Sequence, residues 1–422
     1  MWLIAAVADA QVSLPEVGVR LPEVALPGPA VEVRTPAVAA RLDSRRLQVR
    51  NRLRAHPERL ALDPRGELIV RGELLAEPAD ERALAAVLAA GFAVLRHRQV
   101  AALDLDYVVL QPPAGWSPAD SLRRLRKLDP HGRYDFHHVL AGGGSAEPAT
   151  AQYAAAALPV TTAPVTVRVG LVDGGVATMH AAFAGAEVLA HGCGGRNVPS
   201  VHGTAVASLL VETLNSRSRE PPAHVQLLAA DAYCGDAAGG AIERVIESLG
   251  WLVERRVPVI NVSLVGPPNR LLERAVTRVL ERGHVLVAAV GNDGPAAPPL
   301  YPAAYEGVIA VTAVDRRGRV LVEACRGPHV AFAALGADLQ AAVLPEGRGD
   351  VRGTSYAAPQ VAAMLALQIP QVHATFVPAA VQALAAGATD LGSRGRDAVY
   401  GFGLVAMPPT TSTPPLMSKE RN

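Results

Sequence analysis

Residues 352–363 read Arg-Gly-Thr-Ser-Tyr-Ala-Ala-Pro-Gln-Val-Ala-Ala, and they place a serine just before an apolar segment with helical spacing. Pro359 follows Ser355 by one turn, where we expect its missing N–H to cost little because the first N–H groups of a helix have no partner. Ser355 is therefore predicted at a helix N-terminus, beside free N–H groups and the positive end of the helix dipole. This position suits a nucleophile whose attack creates an oxyanion. A serine that merely caps a core helix is the commoner alternative, so the other motifs have to decide.

The composition favours a large α/β protein. The chain has 422 residues and can bury a sizeable core. Half of its residues (50%) are hydrophobic but only 4% are aromatic, so Val, Ala and Leu carry the packing, as in a buried parallel sheet. A formal net charge of +1 gives no overall attraction to nucleic acid. We therefore expect no nucleic-acid partner. We also expect no integral membrane segment, because no stretch reaches the roughly 18–20 apolar residues that a spanning helix needs.

The two ends of the chain differ in composition from the rest. Residues 1–10 end in Ala-x-Ala, like a signal-peptidase site, and are interpreted as a truncated export signal, with an ordinary apolar N-terminus as the alternative. On this basis the protein is expected to be secreted or periplasmic. Residues 11–65 are Pro- and Val-rich and then Arg-rich, which is typical of a linker or pre-segment with a solvated face or helix. Residues 407–422 are predicted to be a disordered tail.

Three cysteines are too few for a disulfide scaffold. Cys193 and Cys234 both lie in Gly-containing loops, so they are the favoured pair if the protein is exported. Three unpaired buried thiols, with Cys325 as the third, are an equal alternative. The sequence leaves this choice open.

Residues 66–140 are predicted to form a small α+β domain. Strand and helix patterns alternate there in the order strand, helix, strand, strand, helix, strand, over residues 67–70, 80–90, 92–95, 107–110, 117–128 and 133–140. This order matches a split βαβ, ferredoxin-like unit. The Gly- and Ala-rich residues 141–164 are interpreted as a flexible linker.

Residues 165–406 show a different pattern, in which strands and helices alternate. That alternation implies right-handed crossovers and a doubly wound, mostly parallel sheet with helices on both faces. Polar side chains are predicted at or just beyond the strand ends and at a helix start: Asp173, His202 and Asn292. Each motif alone is usually a turn or a helix start. Because reactive groups gather at the carboxyl edge of such a sheet, their joint occurrence with Ser355 favours an active site.

Several motifs together resemble the subtilases, the subtilisin-like serine proteases. The family's three signatures match Val-Asp-Gly-Gly at 172–175, His-Gly-Thr-Ala-Val-Ala at 202–207 and Gly-Thr-Ser-Tyr-Ala-Ala-Pro at 353–359. Residues 289–294 resemble the oxyanion-hole asparagine motif, and residues 261–266 resemble the strand that lines the substrate cleft. The resemblance covers roughly residues 165 to 405.

This chain departs from the family pattern at two places. Gly174 replaces the usual Thr or Ser, which removes a hydroxyl beside the carboxylate of Asp173. Val265 replaces a common Gly and is expected to narrow or reshape the cleft. Neither change removes a catalytic group.

The resemblance implies a serine endopeptidase that works through an acyl-enzyme. Asp173, His202 and Ser355 would form the catalytic triad, in the Asp, His, Ser chain order of subtilisin. The side chain of Asn292 and the backbone N–H of Ser355 would hold the oxyanion. Polypeptide substrates would bind along Ser263, Leu264, Val265, Gly266 and Gly291. No cofactor is required for this chemistry, and a structural calcium ion, common in the family, has no acidic cluster to which it can be assigned.

The resemblance also suggests a role for residues 66–140. Many subtilases carry an N-terminal propeptide of this α+β type, which assists folding and inhibits the enzyme. Here it would be an intramolecular inhibitor, with processing near Gly142–Gly144, and the protein would be a zymogen. A permanent accessory domain is the rival interpretation. At the level of function, the alternative is a catalytically impaired peptide-binding or scaffold protein of the same fold. A nucleotide-binding protein is disfavoured because the first strand of the α/β part is not followed by GxGxxG.

Overall fold

The computed structural model describes residues 44–146, 166–217, 224–236 and 239–405. The predicted export segment, the first part of the pre-segment, most of the linker and the C-terminal tail lie outside these residues. Within them, no helix combines the length and the apolar character needed to cross a membrane.

The first sheet is antiparallel and is built mainly by residues before 147. The helices and strands of this part are, in chain order, α1 (Ser44–Ala55), β1 (Leu60–Leu62), β2 (Leu68–Glu77), α2 (Glu81–Ala89), β3 (Ala93–Val100), β4 (Leu105–Gln111), α3 (Pro118–Leu128), β5 (Arg133–Gly142) and β6 (Ser145–Ala146). The four long strands pair in the order β5-β2-β4-β3. With α2 and α3 after β2 and β4, this is the ferredoxin-like arrangement, so the predicted α+β fold is confirmed.

The local signals in the sequence explain these elements. Asp80 caps α2 by accepting the N–H of Ala83, and Ser117 caps α3 with Pro118 at its first position. Leu74, Leu110 and other apolar side chains of the strands pack against Val87 and Leu125 of the two helices. β1 pairs with β2 and therefore belongs to this sheet. Its residues fall within 11–65, the range predicted as a linker or pre-segment.

The second sheet is parallel and lies in the C-terminal part. Its part of the chain contains β7 (Thr166–Asp173), β8 (Ala186–His191), α4 (Val201–Arg217), β9 (His224–Asp231), β10 (Gly240–Ala241), α5 (Ile242–Glu254), β11 (Val259–Val262), β12 (Leu264–Val265), α6 (Arg270–Glu281), β13 (Val285–Ala289), β14 (Ile309–Val314), β15 (Val330–Leu335), β16 (Leu339–Ala342), β17 (Arg348–Arg352), α7 (Thr354–Ala366) and α8 (Phe376–Ala386). Seven parallel strands run in the order β15-β14-β13-β11-β7-β9-β8.

Helices cover both faces of the parallel sheet. One apolar core joins the sheet to α4 and α7, with Leu210 and Val361 among its buried members. The other core joins it to α5 and α6, with Ile246 and Val276. Tyr107 of β4 is buried in this second core, so the first sheet packs over α5. The predicted doubly wound α/β fold is confirmed.

The end of β5 reaches across to the parallel-sheet part of the molecule. There it lies between two short strands, because β10 pairs with it antiparallel on one side and β12 on the other. Shortly afterwards, β6 pairs with β17. Of the described residues of the predicted flexible linker, 141–142 and 145–146 are in strand pairing instead. The physical reason is that β10 and β12 present free N–H and C=O groups to a glycine-rich segment that has no bulky side chains.

Candidate active site

Asp173 lies at the carboxyl end of β7 and is completely buried. Its Oδ1 accepts the N–H of Gly174 at 2.7 Å and faces Nδ1 of His202 at 2.8 Å. His202 is the second residue of α4. Because a carboxylate only accepts hydrogen bonds, Nδ1 carries the proton and Nε2 can accept one. Nε2 is buried and has no hydrogen-bond partner among the described residues.

Ser355 lies in the first turn of α7, after the N-cap Gly353. Pro359 was expected to cost little because the first N–H groups of a helix have no partner. That reason is wrong, because Pro359 is the sixth residue of this helix. An N–H there would bond to the carbonyl of Ser355. In its absence that carbonyl accepts the hydroxyl of Ser263 at 2.9 Å. The proline thus frees a carbonyl that ties the nucleophile to the cleft strand.

The side chain of Asn292 has a defined orientation. Its Oδ1 accepts the N–H of Thr354 at 3.0 Å, so the amide Nδ2 must point the other way. Nδ2 is buried and has no partner among the described residues. The hydroxyl of Thr354 accepts the N–H of Gly291 at 3.1 Å, which holds the asparagine loop against the start of α7. A free, oriented donor therefore lies beside Ser355.

The protein's own backbone passes through this group of side chains. The N–H of Gly143 donates to Oγ of Ser355 at 3.1 Å. Ideal Cβ atoms would lie 2.7 Å from the ring of His202 if added to Gly142 and 2.7 Å from Nδ2 of Asn292 if added to Gly143. The hydroxyl of Ser355 donates to the carbonyl of Ser263 at 3.2 Å. Its proton is therefore not directed at His202 in this state.

The predicted substrate-binding residues lie along the same segment. Leu264 faces Gly142 and Val265 faces Ala141 in an antiparallel register, while Gly266 packs against Leu140. Val265 is buried and keeps its place in this pairing. Ser263 and Gly291 hold Ser355 and Thr354 as described above. All the residues predicted for the site come together, and the roles assigned to them stay predictions.

Gly174 has a clear structural consequence. A Cβ at this position would lie 2.4 Å from Oγ of Ser200 and 3.1 Å from Cδ2 of Tyr233. Glycine therefore leaves room for the side chain of Ser200 and for the ring of Tyr233. The second carboxylate oxygen of Asp173, Oδ2, is buried without a partner among the described residues, as expected from the missing hydroxyl.

Buried acids and phenols surround the triad. Burial is the main cause that raises the pKa of Asp231, and the charge of Asp173 adds to it. Burial and the same charge raise the pKa values of Tyr233 and Tyr356. The two hydroxyls therefore stay neutral around Asp173 at ordinary pH.

In the described part of the chain, two clusters each bring the ligand atoms of three side chains that could hold a metal within 4.8 Å of one another, and in both clusters these side chains make other bonds. The first contains Cys193 and Cys234, which form a disulfide beside Asp231. In the second, the carboxylates of Glu73 and Glu243 share Arg96, next to His137. We assign no metal to either, and the expectation of a structural calcium ion stays open.

Sequence reasoning missed two contributors to the site. Thr354 belongs to a recognised motif, yet its role in orienting Asn292 requires the fold. Tyr233 lies 91 positions from Gly142, whose N–H its hydroxyl accepts at 2.6 Å. In the sequence, only Gly174 in place of the family's Thr or Ser indicated that a larger side chain, that of Tyr233, lies beside Asp173.

The fold is an α/β protein that brings Asp173, His202, Asn292 and Ser355 to one edge of its parallel sheet, and comparison with known proteins gives its family. The family model of the subtilases matches residues 166–403, more than half of the chain. The minor extracellular protease Epr of Bacillus subtilis (strain 168) is 31% identical over 205 residues, which make up 48% of this chain and 32% of that protein. Subtilisin of Bacillus pumilus is 31% identical over 253 residues, covering 57% of this chain and 88% of that one. The chain belongs to the subtilase family.

A solved structure supports the same fold. Fervidolysin from Fervidobacterium pennivorans, described as a keratinolytic enzyme related to subtilisin, matches 82% of this chain and 61% of its own, with a TM-score of 0.61 and 20% identity. The matched share of this chain exceeds that of residues 166–403, so the likeness of fold extends beyond the family match.

Proposed function

We propose that this protein is a serine endopeptidase that hydrolyses peptide bonds through Asp173, His202 and Ser355. The observation that carries the proposal is the peptide segment lying among these groups. Gly143 bonds to the hydroxyl of Ser355, and Gly142 lies against the ring of His202. A cleft that holds an extended peptide beside a nucleophile, a base and a free amide donor is built for acyl transfer.

The chemistry follows from these positions. Nε2 of His202 takes the proton of Ser355 as Oγ attacks a peptide carbonyl, and Asp173 stabilises the resulting imidazolium. Nδ2 of Asn292 and the N–H of Ser355 bind the oxyanion. His202 then protonates the leaving amine, and water releases the acyl group by the same steps in reverse.

The N-terminal α+β part acts as an inhibitor in this proposal, and the protein is made as a zymogen. Gly142 lies opposite Leu264, which leaves Gly143 at the nucleophile. The carbonyl of Gly143 lies near Gly353, where a Cβ would come within 2.8 Å of it. We therefore assign Gly143–Gly144 as the bond that the protein cleaves in itself. In the described state, the proton of Ser355 is bonded away from His202, which suits an inhibited form.

Export from the cytoplasm belongs to the same proposal. The relative Epr is named as an extracellular protease, and a bond between Cys193 and Cys234 forms most readily in an oxidising compartment. Detection of the protein in the culture medium of its host, absent from the cytosolic fraction, checks this part.

The decisive experiment compares the wild type with Ser355→Ala by intact mass and N-terminal sequencing. We expect the wild type to be cut to a chain beginning at Gly144 and to react with a serine-directed phosphonate, and the variant to remain uncut and unlabelled. A wild type that stays full length and unlabelled would favour an impaired peptide-binding protein. A variant cut at the same bond would assign the processing to a host protease.

A further inference from the structure

Tyr233 makes a contact that the triad chemistry does not use. Its hydroxyl accepts the N–H of Gly142 at 2.6 Å. Gly142 is the residue two positions before the bond assigned above, so this contact lies on the substrate side of the cleft. It joins a side chain of the parallel-sheet part to the backbone of the peptide in the site.

The contact lies just beyond the described pairing between β5 and β10. β10 pairs with β5 only at Val139 and Leu140. In a β-strand the N–H groups of residues i and i+2 point to the same edge, so the N–H of Gly142 follows that of Leu140 on the side of β10. Among the described residues, β10 consists of Gly240 and Ala241 and pairs only with Leu140 and Val139. Within the described residues, the acceptor of the Gly142 N–H is the hydroxyl of Tyr233.

Both the backbone and the ring of Tyr233 are held in place. The backbone N–H of Tyr233 donates to Oδ1 of Asp231 at 2.8 Å, and its backbone carbonyl accepts a hydrogen bond from Nη1 of Arg244 at 2.7 Å. Ideal Cβ atoms at Gly174 and Gly240 would lie 3.1 Å and 3.4 Å from opposite edges of the ring. The ring thus fits between two glycines, and the disulfide at Cys234 fixes the next residue.

We propose that Tyr233 is a specificity-determining residue that binds the backbone N–H of the residue two positions before the scissile bond, and that the enzyme therefore rejects N-substituted residues there. Proline or an N-methyl residue has no N–H to donate and would place a carbon atom against the hydroxyl. The inference rests on the proposed peptidase function. It names the substrate class as chains with an unsubstituted amide at this position.

The first test requires no catalysis. In the full chain carrying Ser355→Ala, amide exchange at Gly142 is measured by mass spectrometry with single-residue fragmentation, with and without Tyr233→Phe. We expect exchange at Gly142 to become about tenfold faster when the hydroxyl is removed, while Val109 in the first sheet is unaffected. Tyr400→Phe, a tyrosine whose hydroxyl bonds to Val320 instead, is the matched control. An unchanged rate at Gly142 overturns the contact.

The second test measures selection directly. Quenched peptides copying residues 136–146, with glycine or N-methylglycine at position 142, are cleaved by the processed wild type and by Tyr233→Phe. The wild type should prefer glycine by about tenfold or more in kcat/KM, and the preference should fall to within about threefold in the variant. Comparing the two ratios cancels the effect of N-methylation on the peptide itself.

The outcomes separate the two proposals. Equal ratios in the wild type and in Tyr233→Phe overturn the selectivity even if both enzymes are active. If the wild type cleaves neither peptide, the peptidase function is overturned, and with it any selection of substrates. The amide exchange rate at Gly142 then still decides whether Tyr233 binds Gly142.

Discussion

Asn292 and Thr354 show how one backbone contact orients a side chain. The N–H of Thr354 donates a hydrogen bond to Oδ1 of Asn292. The other end of the side-chain amide, Nδ2, is therefore left as a buried donor directed into the cleft. A donor that is already oriented costs no reorganisation when charge develops on a carbonyl oxygen. In the proposed mechanism, the contact would therefore contribute to rate without touching the substrate.

Removing this donor should reduce turnover far more than binding. We expect Asn292→Leu to lower kcat by about 100- to 1000-fold, the range known for the oxyanion-hole asparagine of subtilisin itself, with KM nearly unchanged. Steady-state kinetics on a quenched peptide check this. Asn197→Leu, which alters an asparagine bonded to the carbonyl of Val176 instead, is the control. A fall in kcat below tenfold would contradict the role given to Asn292.

At the scale of elements, the fit of β5 in the cleft depends on the absence of side chains. An added Cβ at Gly142 would lie 2.7 Å from the ring of His202. Gly142→Ala should therefore displace the strand and slow self-cleavage by about tenfold to a hundredfold, because small misplacements at a reacting bond are costly. Intact mass followed over time measures the rate. Gly387→Ala, where the added Cβ meets nothing closer than 3.6 Å, is the control. Processing of Gly142→Ala at the parent rate would show that another conformation is cleaved.

A charged network joins the first sheet to α5. Arg96 of β3 bonds to Glu73 of β2 and to Glu243 of α5. Burial alone would raise the pKa of Glu73, but hydrogen bonds from His137 and Arg96 outweigh it and lower the pKa from 4.5 to about 2. The pKa of Glu243 is lowered for the same reason, with burial again opposed by Arg96 and His137.

The sign of these shifts predicts a loss of stability in acid. A carboxyl whose pKa is lower in the folded state stabilises it fully above pH 4.5 and loses that contribution as the pH falls toward about 2. In the Ser355→Ala background, Glu73→Gln should lower the melting temperature at pH 7, and the difference from its parent should shrink between pH 5 and pH 3. Calorimetry at several pH values measures this. A difference that stays constant over that range would contradict the lowered pKa.

How far the sequence predicts these elements depends on how local their causes are. Asp173, His202, Asn292 and Ser355 lie in short motifs, so their positions at strand and helix ends could be predicted. The sequence does not predict β17, because this strand mixes charged residues with glycine and lacks an apolar run. The segment after Leu140 reads as flexible since its glycines favour no conformation by themselves. Its order comes from strands more than 90 residues away in the chain, which a local pattern does not contain.

At the scale of the whole molecule, one covalent link closes a long loop. The Cys193–Cys234 disulfide joins residues 41 positions apart and lies beside Asp231 and Tyr233. Cross-links of this length stabilise by about 3–4 kcal/mol when they restrict the unfolded chain. Cys193→Ser/Cys234→Ser should therefore lower the melting temperature by several degrees. Alkylation without reduction should label one thiol, Cys325, in the unfolded wild type. Three labelled thiols would contradict the pairing.

The assigned cut falls between two sheets, and this has a consequence for the enzyme's first turnover. Strand β5 lies before the cut and β6 lies after it, and β6 stays paired with β17. A new amino terminus at Gly144 would thus be tethered within reach of Ser355, on the side from which a leaving amine departs. If the protein cuts itself at this bond, the cleaved chain would hold both of its own products at once and would begin as a product-inhibited enzyme. Under the proposed function, the rate at which activity appears would then be set by the separation of the end of β5 from β10 and β12, and the chemical step can be much faster than the observed activation.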